Sequence, residues 1–184
     1  MKATAKKHLI ILAGLSLALL ISLPSLSSAD GRRDRGPRKA AVTGGFGWNI
    51  VAPAFTPQFL FAGTDGDTHI RHMPLVGNIN LTGRGVTLNG KITGDLNGEL
   101  DPTFSGPLWG ECSITAMIDG VKTLIFEGRF TADAVGLVSI GKIKMDGRGR
   151  YEGATLELTF EEIGPGNTDT YNCKGHLTRD HDDD

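Results

Sequence analysis

Few side chains in this sequence combine the types and spacing that chemistry requires. His69 and His72 in Thr68-His69-Ile70-Arg71-His72 are the obvious metal-ligand pair. On an extended strand a spacing of three turns them to opposite faces, so the segment predicts no two-histidine site. Asp65-Gly66-Asp67 just before them offers oxygens for a calcium ion, but no further acidic ligand follows at loop spacing, and a plain turn is the simpler reading. Glu99, Glu111, Glu127, Glu152 and Glu157 are candidate acids or bases on or near strands. Glu127 and Glu157 alternate with apolar neighbours and should face water, as should Tyr151 unless a bulge at Gly153 changes its side. Ser139 lies in an apolar run with no histidine nearby, and no nucleophile and base stand at a recognisable spacing. The expectation is a chain without a metal or cofactor, its catalytic residues unassigned.

Cys112 and Cys173 are the only cysteines. Cys112 shares parity with Ile114, Ala116 and Ile118, and Cys173 with Tyr171 and Leu177, which turns both thiols into the core. In an oxidising compartment the pair predicts a disulfide closing 61 residues of chain, worth about 4 kcal/mol by loop entropy. Two unpaired buried thiols are the alternative.

That compartment is read from the first 29 residues. Lys2, Lys6 and Lys7 precede an uncharged run of 15 residues, Leu9 to Leu23, and small residues follow at Ser27-Ser28-Ala29. The run is short of the ~20 residues a membrane helix needs, so residues 1–29 read as a signal peptide and the protein as exported, periplasmic or extracellular. Residues 30–39 form a basic tail and residues 180–184 an acidic one, leaving one domain over 40–179. From Ala40 onward 11 basic residues meet 19 acidic ones, a balance that repels phosphate backbones and excludes nucleic acid as a partner.

Strands must position these groups, because alternation of period two recurs through the domain and no long helical period appears. Val86, Leu88, Gly90, Ile92, Gly94, Leu96, Gly98 and Leu100 share one parity, opposite Thr87, Asn89, Lys91, Thr93, Asp95, Asn97 and Glu99. The same rhythm sets Leu124, Phe126 and Phe130 against Glu127 and Arg129, and Leu156, Leu158 and Phe160 against Glu157 and Thr159. Strands are expected near 42–51, 57–63, 68–73, 75–82, 84–88, 91–96, 109–118, 121–132, 136–145, 150–161 and 169–177, with Asn89-Gly90, Asn97-Gly98, Asp119-Gly120 and Asp146-Gly147 as hairpin signals. So many one-sided strands must hide their edges, which predicts an all-β domain built as a closed antiparallel β-barrel of about eight strands, with a β-sandwich as the alternative. Too few aromatics are present to girdle a membrane barrel, so stable membrane insertion is not expected.

Gly147-Arg148-Gly149-Arg150-Tyr151-Glu152-Gly153-Ala154 is the most distinctive motif. It is not a dinucleotide turn, since Thr155 to Glu161 alternates as a strand where a pyrophosphate loop needs a helix. Its glycines instead suit a bent or bulged strand with close backbone approach. Through Gly147, Gly149, Tyr151, Gly153 and Ala154, after a series of glycine-punctuated strands, the chain resembles the barrel superfamily of the plant allene oxide cyclases and dirigent proteins. The resemblance extends over residues 75–177 in rhythm and over this octapeptide in motif, and departs where Thr155-Leu156 stands in place of a further glycine. It implies an eight-stranded barrel around an apolar cavity, used in that superfamily for cofactor-free isomerisation of a fatty-acid epoxide or for steering phenoxy-radical coupling. No catalytic residue carries over.

The combined reading is a secreted, noncatalytic barrel that binds a small apolar ligand or an envelope partner. A cofactor-free cyclase or isomerase and a structural envelope protein are the alternatives. The cavity candidates are the apolar-parity residues Leu88, Ile92, Leu96, Ile114, Leu124, Phe126, Leu156, Leu158 and Phe160, which would simply be core in a filled barrel.

Overall fold

The computed structural model describes residues 38–50, 59–136, 138–163 and 169–179. The expected signal peptide, most of the basic tail and the acidic tail lie outside the described residues. The elements are β1 (Arg38–Ile50), β2 (Leu60–Ala62), β3 (Thr68–Gly83), β4 (Val86–Leu100), β5 (Gly106–Ile118), β6 (Val121–Val135), β7 (Val138–Gly147), a 3-10 turn (Gly149–Tyr151), β8 (Ala154–Glu162) and β9 (Asp169–Arg179). Consecutive strands from β3 to β9 pair antiparallel, and β1 pairs with both β9 and β3, from Val42 opposite Gly83 to Ile50 opposite Leu75. The sheet therefore returns on itself as a closed barrel of eight strands, with short β2 added alongside Thr68–Ile70. Closure satisfies the edge backbone groups that a sandwich would leave open.

Alternation builds the wall as expected. Along β8, Ala154, Leu156, Leu158 and Phe160 are buried, with Glu157, Thr159 and Glu161 exposed between them. Several expected short strands merge, however. The runs 68–73 and 75–82 are one strand, and Asn89-Gly90 and Asn97-Gly98 lie inside β4, whose hairpin with β3 turns at Arg84-Gly85 instead. Asp119-Gly120 is a true two-residue hairpin turn, with both residues at positive φ, +50° and +78°.

Two bulges overturn parity readings. In β6 the register with β5 steps from Phe126 opposite Ile114 to Leu124 opposite Thr115, leaving Ile125 as the extra residue. Ile125 and Phe126 both point inward, and Leu124 moves to the outer face at 37% exposure. Leu124 is thus corrected from cavity candidate to surface residue. In β3 the register shifts between Ile70 and Met73, both buried, with Arg71 and an exposed His72 at φ +53° between them. His69 and His72 consequently share the outer face, against the expectation of opposite faces.

The Gly147–Ala154 motif forms the β7–β8 connection. A Cβ at Gly147 would lie 1.8 Å from the Tyr151 carbonyl oxygen, so this close approach requires glycine. The 3-10 turn replaces the expected start of a strand at residue 150. It tucks Tyr151 against Phe126, ring centroids 5.1 Å apart, so Tyr151 is half-buried at one end of the barrel instead of facing water.

Cys112 and Cys173 are both buried, as parity required, but neither is bonded. Strands β5 and β9 stand four steps apart in either direction around the ring. Eight strands spaced by about 4.8 Å enclose a ring roughly 12 Å across or more, whereas bridged cysteines need Cα atoms within about 7 Å. The expected disulfide is corrected to two free thiols on opposite walls, whose burial raises Cys112 to about 12 and Cys173 to about 11.

Candidate functional site

The two ends of the barrel interior are filled differently. Toward the Tyr151 end, Val42, Leu81, Ile125, Phe126, Met145 and Leu156 are nearly inaccessible to solvent. Toward the other end, aromatic rings crowd together. Phe46 stacks on Tyr171 at 4.8 Å, Trp48 meets Phe130 at 4.8 Å, and Phe160 stands edge-on to Tyr171 at 5.4 Å. Large rings of different tilt leave gaps that branched aliphatic residues would close.

One such gap is a cavity of about 50 Å³ lined by Trp48, Leu75, Leu96, Leu108, Phe130, Ala132, Ser139, Phe160 and Tyr171. Each of the eight barrel strands contributes at least one of these side chains. A single water requires about 10–15 Å³, so the space admits a group of a few heavy atoms and is far smaller than the ~300 Å³ and above of a drug-sized site. Ser139 is buried, and its backbone N–H and hydroxyl both donate to Glu162 Oε2 at 2.9 and 3.1 Å. Trp48 is 3% exposed, and among the described residues its Nε1–H has no acceptor. Gly94 of β4 lies beside that indole, where a Cβ would make only an ordinary contact with Trp48 Cζ2 at 3.4 Å.

Of the cavity candidates read from sequence, Leu96 and Phe160 line this space. Leu88, Ile92, Ile114, Phe126, Leu156 and Leu158 are buried as packed core away from it, and Leu124 is outside. Trp48, Leu75, Leu108, Phe130, Ala132, Ser139 and Tyr171 were not among the candidates. Alternation marks many of them as inward-facing, but parity carries no information on which level of the barrel is underfilled.

The other candidate groups are on the outer wall. His72 Nδ1 lies 2.9 Å from Asp95 Oδ2, and Glu99 pairs with Arg71 at 3.0 Å and lies 4.0 Å from His69. Asp65-Gly66-Asp67 is a turn closed by Gly63 N–H donating to the Asp67 carbonyl at 2.7 Å. Glu157 pairs with Lys144 at 3.2 Å. Across β4 to β7 an outer groove of about 570 Å³ is lined by Thr93, Asp95, Glu111, Ser113, Glu127 and Asp146, with Arg129 and Arg148. Arg148 Nε donates to Glu127 at 2.9 Å, a hydrogen bond that holds the guanidinium above its ordinary range, and Arg129 lies 4.0 Å from Glu111. These exposed charges are screened by water and answer one another. Desolvation, the main source of affinity for a small molecule, is offered by the aromatic end.

No protein-family model, curated protein or solved structure matches this chain.

Proposed function

We propose that this protein is an exported, noncatalytic β-barrel that binds a small apolar ligand, or the apolar end of an envelope partner, at the aromatic end of its interior. The observation that carries this reading is the position of the void: the interior is underfilled where Trp48, Phe130, Phe160 and Tyr171 converge. Aromatic walls supply large desolvated area and little hydrogen-bonding competition, which suits capture by shape and burial. The likeness to the allene oxide cyclase and dirigent barrels belongs to this proposal; the eight-stranded closure and the Gly147–Ala154 turn support it. Charged and polar residues such as Glu127, Arg129, Lys144, Glu157 and Thr159 on the outer wall support a barrel surrounded by water.

The modest volume favours a second reading, a structural envelope barrel whose aromatic gap holds nothing specific. Xenon tests the open space on which the binding reading depends, because it enters dry apolar cavities of this scale. Binding predicts a saturable xenon resonance shift in the native protein and its loss in Ala132→Leu, which fills the space while preserving the β spectrum. A native protein that takes up no xenon would leave the structural reading.

A further inference from the structure

The two ends of the barrel differ in charge. The Tyr151 end gathers the start of β1, the end of β9, the β3–β4 and β5–β6 hairpins and the β7–β8 connection. Arg38, Lys39, Arg84, Lys122, Arg150 and Arg179 are all exposed there, and none has an ion pair among the described residues. Arg148 beside them is held by Glu127. The acids of that end are Asp119, Asp146 and Glu152. At the aromatic end the balance reverses. Asp101, Asp133, Glu161, Glu162 and Asp169 stand on or next to strand ends, and among the described residues no lysine or arginine lies within two residues of a strand end there.

Some of the bases are brought close together. Arg38 stands directly opposite Arg179 in the β1–β9 register, and Arg179 Nη2 donates to the Arg150 carbonyl at 3.4 Å. Like charges directly opposite one another destabilise a sheet, so the grouping costs the fold, and an anionic surface seated on it would offset that cost. Apolar side chains accompany the bases. Met117 and Val121 flank the Asp119-Gly120 turn at the same end, 67% and 64% exposed, with Lys122 opposite Met117. A charged polysaccharide has no apolar layer to bury them, whereas a bilayer surface takes bases against its headgroups and apolar side chains just beneath.

Independently of the void, we propose that the Tyr151 end docks on an anionic lipid surface. Arg38, Arg150 and Arg179 meet lipid phosphates, and Met117 and Val121 enter the headgroup layer from the hairpin tip. No strand crosses the hydrocarbon, so the contact is peripheral and reversible. The tails modify it, since Arg32, Arg33 and Arg35 precede β1 while the four aspartates of residues 180–184 follow β9 and offset part of the charge. The same surface repels the acidic end, so the docked barrel turns its aromatic end toward water.

Co-sedimentation with vesicles tests this on the chain from Asp30 to Asp184, because the uncharged run at residues 9–23 would enter a bilayer by itself. The unmodified protein should bind phosphatidylcholine vesicles that contain phosphatidylglycerol, lose most of that binding in high salt, and leave pure phosphatidylcholine vesicles unbound. The triple variant Arg38→Gln, Arg150→Gln, Arg179→Gln should weaken binding by about tenfold or more, since each base near such a surface contributes about fivefold. Met117→Ser with Val121→Ser should weaken it about tenfold through lost apolar burial. Asp133→Asn with Glu161→Gln, at the opposite end, should leave binding within about twofold although net charge rises, because the gain is confined to the docked face. Every substituted side chain is exposed, so the β spectrum should persist. Equal binding to both kinds of vesicle, equal effects of substitutions at the two ends, or no vesicle binding at all would overturn the proposal and leave the xenon test of the interior unaffected. Dextran sulfate binding as tightly as the anionic vesicles, with the Met117 and Val121 substitutions without effect, would make this end a polyanion site and overturn lipid docking.

Discussion

At the residue scale, the two thiols illustrate how burial without pairing governs chemistry. Cys112 and Cys173 have no bonded partner and lose solvation on ionising, which keeps them protonated and unreactive in the folded state. Native protein should therefore resist thiol reagents, and unfolded, nonreduced protein should titrate two thiols; a thiol count of zero would restore the cross-link. The same burial sets a pH dependence. Above the ordinary thiol value of 9.0 the unfolded chain releases protons that the folded chain retains until about 11 and 12. The unfolded state then binds fewer protons, so stability is full below pH 9 and declines as pH rises, by about 1.4 kcal/mol per pH unit per thiol within that window. Urea unfolding at pH 8 and pH 10.5 should show the decline, and the double variant Cys112→Ala, Cys173→Ala should flatten it.

At the element scale, the bulge in β6 reverses what neighbouring positions contribute. Ile125→Ala removes a side chain that is 2% exposed and should cost about 2–5 kcal/mol, whereas Leu124→Ala on the outer face should change stability by about 0.5 kcal/mol. Denaturant midpoints for the pair check the register directly, because an unbulged strand predicts the opposite order. The β7–β8 connection makes a second test. Gly147→Ala forces a methyl against the Tyr151 carbonyl and should destabilise by about 1–3 kcal/mol, with loss of the Tyr151–Phe126 contact visible as altered near-ultraviolet dichroism. Strand content and inward faces were legible in β4 and β8, where local alternation and burial agree. The bulges were not, since an extra residue is tolerated only where the neighbouring strand can accept two side chains against one.

At the scale of the whole molecule, the aromatic end and the Tyr151 end of one continuous core are filled differently, and the export reading concerns the chain before it folds. Lys2, Lys6 and Lys7, the uncharged Leu9–Leu23 run and Ser27-Ser28-Ala29 lie in the order that a signal peptidase requires. Exported protein should have an intact mass beginning at Asp30, and retention of Met1–Ala29 would refute cleavage. The sequence by itself determined the all-β class, the inward parity of both cysteines and the Asp119-Gly120 hairpin, because each follows from a period or a dipeptide acting over a few residues. Tertiary structure alone decided that β1 reaches both β3 and β9, that Leu124 and His72 face outward, and that the void lies at Trp48. It also decided that Cys112 and Cys173 share an interior without meeting. Alternation assigns a side chain to a face of the sheet; its distance from other inward residues depends on strand number, stagger and bulges, which exist only once the sheet has closed.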